Sequence, residues 1–242
     1  MQIVSLALRS WLRYVVPLTV LAVIPFIPVW FFAMRVTTPV DAAAAKSTVL
    51  VGYGLVAIAW VCQLVVVGAV APAVRAVAAG ETPPQLAILA RGVHGIVGAI
   101  VPSIVVAAAV FAGSLALVVP GLVVLGLLAP TGASREIGKP LPRPLVDALA
   151  VTRKAMPMAI AIGVALLVID AAIPIVLHRL MVVPVQPKNP PHDALEHVRL
   201  FVRATAGALA IVSPLIAAHV AAVYEINRAK APPEAPPHPA PP

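Results

Sequence analysis

The sequence predicts an all-α fold, a polytopic bundle of transmembrane helices, and three observations support this prediction. Hydrophobic residues make up 61% of the 242 residues and charged residues only 11%, whereas soluble domains are about half apolar and a quarter charged. The mean hydropathy is +1.03, so too little polar surface remains to cover a globule in water. Several apolar runs also have the roughly 20 residues that a helix needs to cross the hydrocarbon of a bilayer.

Six spans are predicted, arranged as three helical hairpins in a single transmembrane domain that covers residues 1–228. The first span contains Pro17, Pro25 and Pro28, and we expect it to be kinked because proline removes backbone hydrogen bonds from a helix. The predicted spans are residues 14–34, 49–74, 93–118, 122–133, 155–177 and 204–224.

The fourth span depends on how one long uncharged stretch is divided. From Val93 to Pro130 the chain carries no charged residue, and at about 1.5 Å of rise per residue this stretch is too long for one span and slightly short for two. Pro120 and Gly121 form the strong break in its second half. We therefore predict a full span before the break and a shorter one, 122–133, after it. A re-entrant segment is the alternative for 122–133.

Shorter elements are predicted between and after the spans. The Gly- and Pro-rich run at residues 80–84 ends one helix and precedes a short interfacial helix at 85–92. Pro144 begins an amphipathic helix on the membrane surface, and another helix starts near Asp193. The Pro- and Ala-rich residues 229–242 are predicted to form a disordered cytoplasmic tail.

The distribution of basic residues predicts the orientation. With the N-terminus inside, eleven of the 17 lysines and arginines fall on the inner face and six on the outer face, which favours both termini in the cytoplasm of a bacterial inner membrane. The net charge of +8 comes from basic residues in short loops between the spans. Such loops are usual in membrane proteins, where they interact with anionic lipid. The expected partners are membrane lipids or another membrane protein, and nucleic acid is not expected.

Asp170 is the most informative single residue, because a carboxylate within hydrocarbon is costly unless it is paired, hydrated or protonated. Arg203 lies about two turns further out on the sixth span and is a candidate partner. Gln63 in the second span and His219 in the sixth complete a possible intramembrane polar site. The functional interpretation is a proton or cation site, and the structural alternatives are an ion pair and hydrogen bonds that join helices.

No catalytic, cofactor-binding or metal-binding residues are predicted. His192 and His197 lie beside Asp193 and Glu196 at spacings that would allow zinc binding on a helix. A helix cap by Asp193 with Glu196 three residues later explains the same residues better.

Gly95 and Ala99 form a pair of small residues four positions apart, and Gly98 lies on a neighbouring face. Small residues at this spacing allow two helices to approach closely. We therefore expect a close helix contact at Gly95 and Ala99, in a bundle rich in alanine and glycine.

Three short motifs stand out in the loops and breaks between the spans, namely GETPPQL at 80–86, VVPGL at 118–122 and DALAVT at 147–152. They resemble motifs of the glycerophosphoryl diester phosphodiesterase membrane-domain family and related six-span bacterial proteins. In the third motif Thr152 stands where the family pattern has a serine, Arg153 and Lys154 supply its basic residues, and Met158 replaces its glycine.

This resemblance implies a membrane domain without chemistry of its own, because family members with phosphodiesterase activity carry that activity on a separate soluble domain. The chain has no room for such a domain. We therefore expect a non-enzymatic accessory or structural membrane unit. The alternative is a small-solute or proton-coupled transporter that uses Asp170, and a membrane-embedded enzyme acting on lipid is the third possibility.

Overall fold

The computed structural model describes residues 2–36, 42–116, 118–181 and 190–230, and within these ranges the chain is helical with no strand. Three short 3-10 turns, Ile24–Phe26, Ala129–Ala133 and Arg153–Ala155, connect successive helices. The tail predicted for 229–242 lies almost wholly outside the described residues. The α-helices are α1 Gln2–Arg13, α2 Val15–Val23, α3 Ile27–Arg35, α4 Ala42–Ala78, α5 Gln85–Ala116, α6 Val118–Leu128, α7 Arg143–Thr152, α8 Met156–Met181 and α9 Pro190–Ala229.

Within the described ranges, five helical segments are long and apolar enough to cross a membrane. They are Val15–Arg35, Lys46–Ala78, Gln85–Leu115, Ile160–Leu180 and Leu195–Ala229. A shorter apolar segment, Pro120–Ala133, matches the fourth predicted span in position. The all-α membrane-type bundle is therefore confirmed, whereas the count of six spans still depends on this short segment.

Helices α4 and α9 form the centre of the bundle. In the most apolar window of each, 67% and 61% of the residues are buried, compared with 11% in α8. The two helices run in the same direction, because Gly52 lies against Val198 near their beginnings and Arg75 bonds to Glu225 near their ends. The other apolar helices pack around this pair and leave much of their own apolar surface exposed.

The first span is kinked, as predicted. The 3-10 turn Ile24–Phe26 separates α2 from α3, and Pro25 lies in that turn because it cannot donate a backbone hydrogen bond. The thiol of Cys62 on α4 donates to the carbonyl of Pro25 at 3.0 Å. This contact fixes the kink against the centre of the bundle.

One predicted helix boundary is wrong. Residues 85–92 do not form a separate interfacial helix, because α5 runs unbroken from Gln85 to Ala116. The helix start expected near Asp193 is confirmed, since α9 begins at Pro190, and the same helix continues through the span expected at 204–224. In α5 and α9 helix-forming residues continue past the edge of the apolar run, and a change of polarity alone does not end a helix.

The break predicted at Pro120 and Gly121 lies beside the boundary between two helices. Helix α5 ends at Ala116 and α6 begins at Val118, so both residues lie in the first turns of α6. Proline is tolerated there because its missing amide hydrogen would have no partner in the first turn. A Cβ on Gly121 would lie 3.0 Å from the backbone nitrogen of Ser114, so this glycine allows α5 and α6 to form a tight hairpin.

The close helix contact expected at Gly95 and Ala99 is confirmed. A Cβ built on Gly68 of α4 would lie 2.6 Å from both the Gly95 carbonyl oxygen and the Ala99 Cβ. Gly132 joins them, since a Cβ on it would lie 2.7 Å from the Gly68 nitrogen. Three glycines thus bring α4, α5 and the turn Ala129–Ala133 together, and that turn is completely buried.

Helix α1 is amphipathic and packs at the end of the bundle where α9 ends. Its buried residues are Leu6, Ala7 and Ser10. At its C-terminal end the hydroxyl of Tyr14 donates to the Pro83 carbonyl between α4 and α5 at 3.2 Å. Both ends of the described chain therefore lie at the same end of the bundle.

Candidate functional site

The structure brings together two of the four predicted intramembrane polar residues. The carboxyl group of Asp170 on α8 lies beside the side-chain amide of Gln63 on α4, close enough to interact. The geometry does not reach a full hydrogen bond, because Asp170 Oδ1 and both polar atoms of Gln63 have no partner in the described part of the chain. Gln63 is only 4% exposed, so this pair is an unsatisfied polar contact inside the bundle.

Arg203 and His219 do not join this pair. The ring of His178 packs edge-on against Phe201 at 6.2 Å between centroids, which places Arg203 near the level of His178, about two turns beyond Asp170 on α8. The Arg203 side chain is exposed, and its carbonyl accepts a hydrogen bond from Trp30. His219 bonds instead within its own helix, with Nδ1 2.8 Å from the Leu215 carbonyl.

A second group of polar residues, which the sequence did not predict, lies where α4 and α9 end. We call this region the arginine end and define it by Arg75, Arg135, Asp147, Glu225 and Arg228. The Glu225 carboxylate is 5% exposed and binds Arg75 at 2.9 Å and Arg135 at 3.3 Å. Burial of one carboxylate between two arginines ties α4, α9 and the loop after α6 to each other.

Asp147 on α7 is the other carboxylate of the arginine end. Its Oδ2 accepts hydrogen bonds from the hydroxyls of Ser134 and Tyr224, each at 2.5 Å, and its Oδ1 accepts from Arg228 at 2.6 Å. Burial acts to raise the pKa of Asp147, but the two hydroxyl bonds and the arginine charge outweigh burial and hold that pKa below its ordinary value of 3.8. Asp147 is therefore a carboxylate at neutral pH.

The arginine end holds the loop between α6 and α7 against the bundle. Arg75 also donates to the Ala133 carbonyl at 3.0 Å, and the hydroxyl of Thr152 donates to the Leu127 carbonyl at 2.8 Å. Asp147 and Thr152 begin and end the DALAVT motif, so both of its polar residues make structural hydrogen bonds. The motif marked these residues in the sequence, but their partners are too distant along the chain to be inferred from it.

A cavity of about 690 Å³ lies between α4 and α5 near the arginine end. Its floor is made by small residues, among them Gly68, Gly95 and Gly132. Four charged or titratable side chains also line it, namely Arg75, Glu81, Arg91 and His94. Of these, Arg91 and His94 are exposed and make no side-chain hydrogen bond or ion pair with any described residue.

A groove of about 480 Å³ runs between α1, α8 and α9. Its walls are almost entirely aliphatic, with Ile3 from α1, Ala165 and Ile169 from α8, and Val220 from α9. His219 is its one ionisable residue. The walls from α8 and α9 belong to membrane-type segments, so the groove faces hydrocarbon if those segments span a bilayer.

The arrangement offers binding surfaces more than reactive groups. Among the residues that the structure describes, no three histidine, cysteine, aspartate or glutamate side chains converge as metal ligands would. No protein-family model, curated protein or solved structure matches this chain. The local geometry alone therefore supports the functional proposal.

Proposed function

We propose that this chain is a non-enzymatic integral membrane protein of the bacterial inner membrane that binds membrane lipid, with both termini in the cytoplasm. Six crossings, counting the short apolar segment Pro120–Ala133, would give this orientation. The basic residues of the arginine end then face the cytoplasm, in agreement with the usual excess of lysine and arginine on that side. On this proposal the chain is an accessory unit of the membrane and carries out no reaction of its own.

The apolar groove between α1, α8 and α9 is the observation that carries this proposal. Its volume of about 480 Å³ falls within the range of small-molecule pockets, about 300–1,000 Å³. An acyl chain of a membrane lipid is its proposed occupant, because walls formed by membrane-type helices are surrounded by hydrocarbon. Amphipathic α1 covers the groove at the arginine end and would lie at the membrane surface there.

A groove-filling substitution tests lipid binding. We expect Ala165→Trp to reduce the amount of phospholipid that stays bound through purification in mild detergent, measured by native mass spectrometry, because the indole occupies the groove. Leu167→Trp is the matched control. It lies about half a turn from Ala165 around α8, is exposed and does not line the groove. Equal lipid retention by wild type and Ala165→Trp would refute the groove as a lipid site.

Small-solute or proton-coupled transport is the second candidate function, and the Asp170–Gln63 pair is what favours it. Buried polar groups without hydrogen bonds are uncommon and call for an explanation, and ionisable residues within spans often belong to transport pathways. Gln63 and Asp170 lie beside each other with buried polar atoms that lack hydrogen bonds, and Asp170 is also ionisable. Neither residue lines the groove or the cavity described above.

Flux through reconstituted liposomes distinguishes the two candidates. A transporter would show proton or solute flux in the wild type, and Asp170→Asn would abolish it because the amide cannot exchange a proton. Lipid binding without flux in the wild type would exclude transport and leave the accessory function in place. Gln63→Leu would lower flux on the transport hypothesis and would improve stability if the pair has no role.

A further inference from the structure

We propose that the cavity between α4 and α5 binds the headgroup of a phospholipid that carries both a phosphate and an ammonium group. This inference rests on the proposed function in that the ligand is a membrane lipid, and it adds a second site with its own headgroup chemistry. The cavity holds about 690 Å³, within the range of ligand pockets.

The phosphate-binding part of the site is provided by the guanidinium of Arg91 and the imidazole N–H of His94 on α5. They lie three residues apart and therefore on the same side of the helix, and both line the cavity. Arg75 is less available, because Glu225 and the Ala133 carbonyl already bind its guanidinium. Arg91 is thus the free guanidinium of the cavity, and guanidinium groups bind phosphate oxygens with two parallel hydrogen bonds.

The single carboxylate of the cavity, Glu81, indicates the second part of the ligand. Glu81 precedes α5, lines the same cavity and makes no ion pair within the described chain. A purely anionic headgroup would be repelled by this carboxylate. A zwitterionic headgroup would instead place its phosphate at Arg91 and its ammonium at Glu81, so that every free charge of the cavity meets an opposite charge.

The floor of the cavity suits the remainder of a lipid. Gly68, Ala71, Gly95 and Gly132 line it with backbone and methyl groups and without polar side chains, and Gly68, Ala71 and Gly95 lie on the membrane side of Arg75 and Arg91 along α4 and α5. The charged groups therefore lie towards the arginine end and the apolar floor towards the hydrocarbon, which is the polarity of a phospholipid at a membrane surface.

Binding of defined lipids to the purified, delipidated full chain tests this inference. Phosphatidylethanolamine, phosphatidylglycerol and inorganic phosphate are the probes, and native mass spectrometry with thermophoresis gives their affinities. We expect phosphatidylethanolamine to bind more tightly than phosphatidylglycerol. Arg91→Gln should weaken both lipids about tenfold, because it removes a charge-assisted hydrogen bond worth about 1.4 kcal/mol. Glu81→Gln should remove the preference between them.

Three matched variants make the result decisive. Arg143→Gln removes an exposed arginine of α7 outside the cavity and should change nothing. Arg91→Lys keeps the charge and should retain part of the affinity. Ala165→Trp should reduce total bound lipid without altering the headgroup preference. Lipid binding in the groove and headgroup binding in the cavity are therefore tested independently.

Several outcomes would overturn the headgroup site. Equal loss of affinity in Arg91→Gln and Arg143→Gln would show general attraction to a basic surface. Phosphatidylglycerol binding as tightly as phosphatidylethanolamine in the wild type would contradict the role of Glu81. Arg91-dependent binding of inorganic phosphate as tight as that of the lipid would identify a site for free phosphate instead.

Discussion

At the scale of single residues, the two carboxylates of the arginine end join separate helices through bonds to arginine. Glu225 and Asp147 together bind Arg75, Arg135 and Arg228, and they connect helices that lie far apart along the chain. A buried carboxylate is costly unless its charge and its lone pairs are satisfied. Both residues meet this condition, so each stabilises the packing of the loop after α6.

Removing the Glu225 charge should destabilise the protein. In Glu225→Gln both arginines lose their partner, and we expect the free energy of unfolding to fall by about 2 kcal/mol. This is less than the roughly 3–5 kcal/mol of a fully buried pair, because Arg75 and Arg135 are 36% and 51% exposed. Thermal unfolding in detergent measures the change.

Glu136→Gln is the control for the Glu225 prediction. Glu136 pairs with Lys139, and both side chains are substantially exposed, 33% and 51%, so the loss should stay below about 1 kcal/mol. An equal loss of unfolding free energy in Glu225→Gln and Glu136→Gln would show that burial does not make the ion pairs of Glu225 stronger.

Asp147 should make stability depend on pH in the acid range. Its pKa is lowered in the folded protein, so its contribution is fully present above the ordinary value of 3.8 and is lost as the pH falls through the folded pKa. We expect the unfolding temperature in detergent to drop in this window. Asp147→Asn should be less stable at neutral pH and should show a smaller further loss on acidification.

At the scale of secondary-structure elements, glycine determines how closely the helices approach. At the junction of α4, α5 and the turn Ala129–Ala133, backbone meets backbone at Gly68, Gly95 and Gly132. The same close approach recurs between α6 and α8, where a Cβ on Gly163 would lie 2.5 Å from the Leu122 carbonyl oxygen. Such packing is a main source of attraction between helices in lipid.

A methyl group at the glycine junction should therefore be harmful. In Gly95→Ala the new Cβ would lie 2.1 Å from the Gly68 carbonyl oxygen, so backbone must move, and we expect a loss of about 1–3 kcal/mol. Gly54→Ala is the control on α4, because nothing lies within 4 Å of its added Cβ. It should leave stability unchanged or raise it by up to about 1 kcal/mol. Chemical unfolding in mixed micelles provides both values.

The elements that could be predicted from the sequence are those that depend on local composition. Long apolar runs, the kink near Pro25 and the contact at Gly95 and Ala99 all follow from residues close together in the chain. The joining of residues 85–92 to the following span in the single helix α5 could not be predicted, because polar helix-forming residues also occur in separate surface helices.

The arginine end could not be predicted for a different reason. Its partners, such as Arg75 and Glu225, lie 150 residues apart, and only the packing of α4 beside α9 brings them together. Arg203, the candidate partner of Asp170, does not pair with it, because Arg203 lies near the level of His178, about two turns from Asp170 along α8, and its side chain is exposed. Gln63 occupies the place beside Asp170 instead.

At the scale of the whole molecule, the hairpin of α5 and α6 determines the number of crossings. Gly95 and Gly132 meet at one level beside Gly68, and Gly113 meets Gly121 at the top of the hairpin. The roughly 18 residues from Gly95 to Gly113 rise about 27 Å, which is close to the hydrocarbon thickness of about 30 Å. The returning arm advances 11 residues from Gly121 to Gly132 and rises only about 17 Å, so a six-span topology requires the bilayer to thin around this arm.

Cysteine labelling tests this topology, and the single native cysteine makes the experiment simple. In a Cys62→Ala background, Leu115→Cys at the top of the hairpin and Lys46→Cys should react with a membrane-impermeant maleimide added to right-side-out vesicles. Both native residues are exposed. Lys139→Cys at the arginine end should react only after the membrane is permeabilised. If 122–133 is re-entrant after a full third span, Lys139→Cys would react from outside together with Leu115→Cys and Lys46→Cys. Reaction of Lys139→Cys from outside while Leu115→Cys and Lys46→Cys stay unreactive would instead reverse the proposed orientation and place both termini outside the cell.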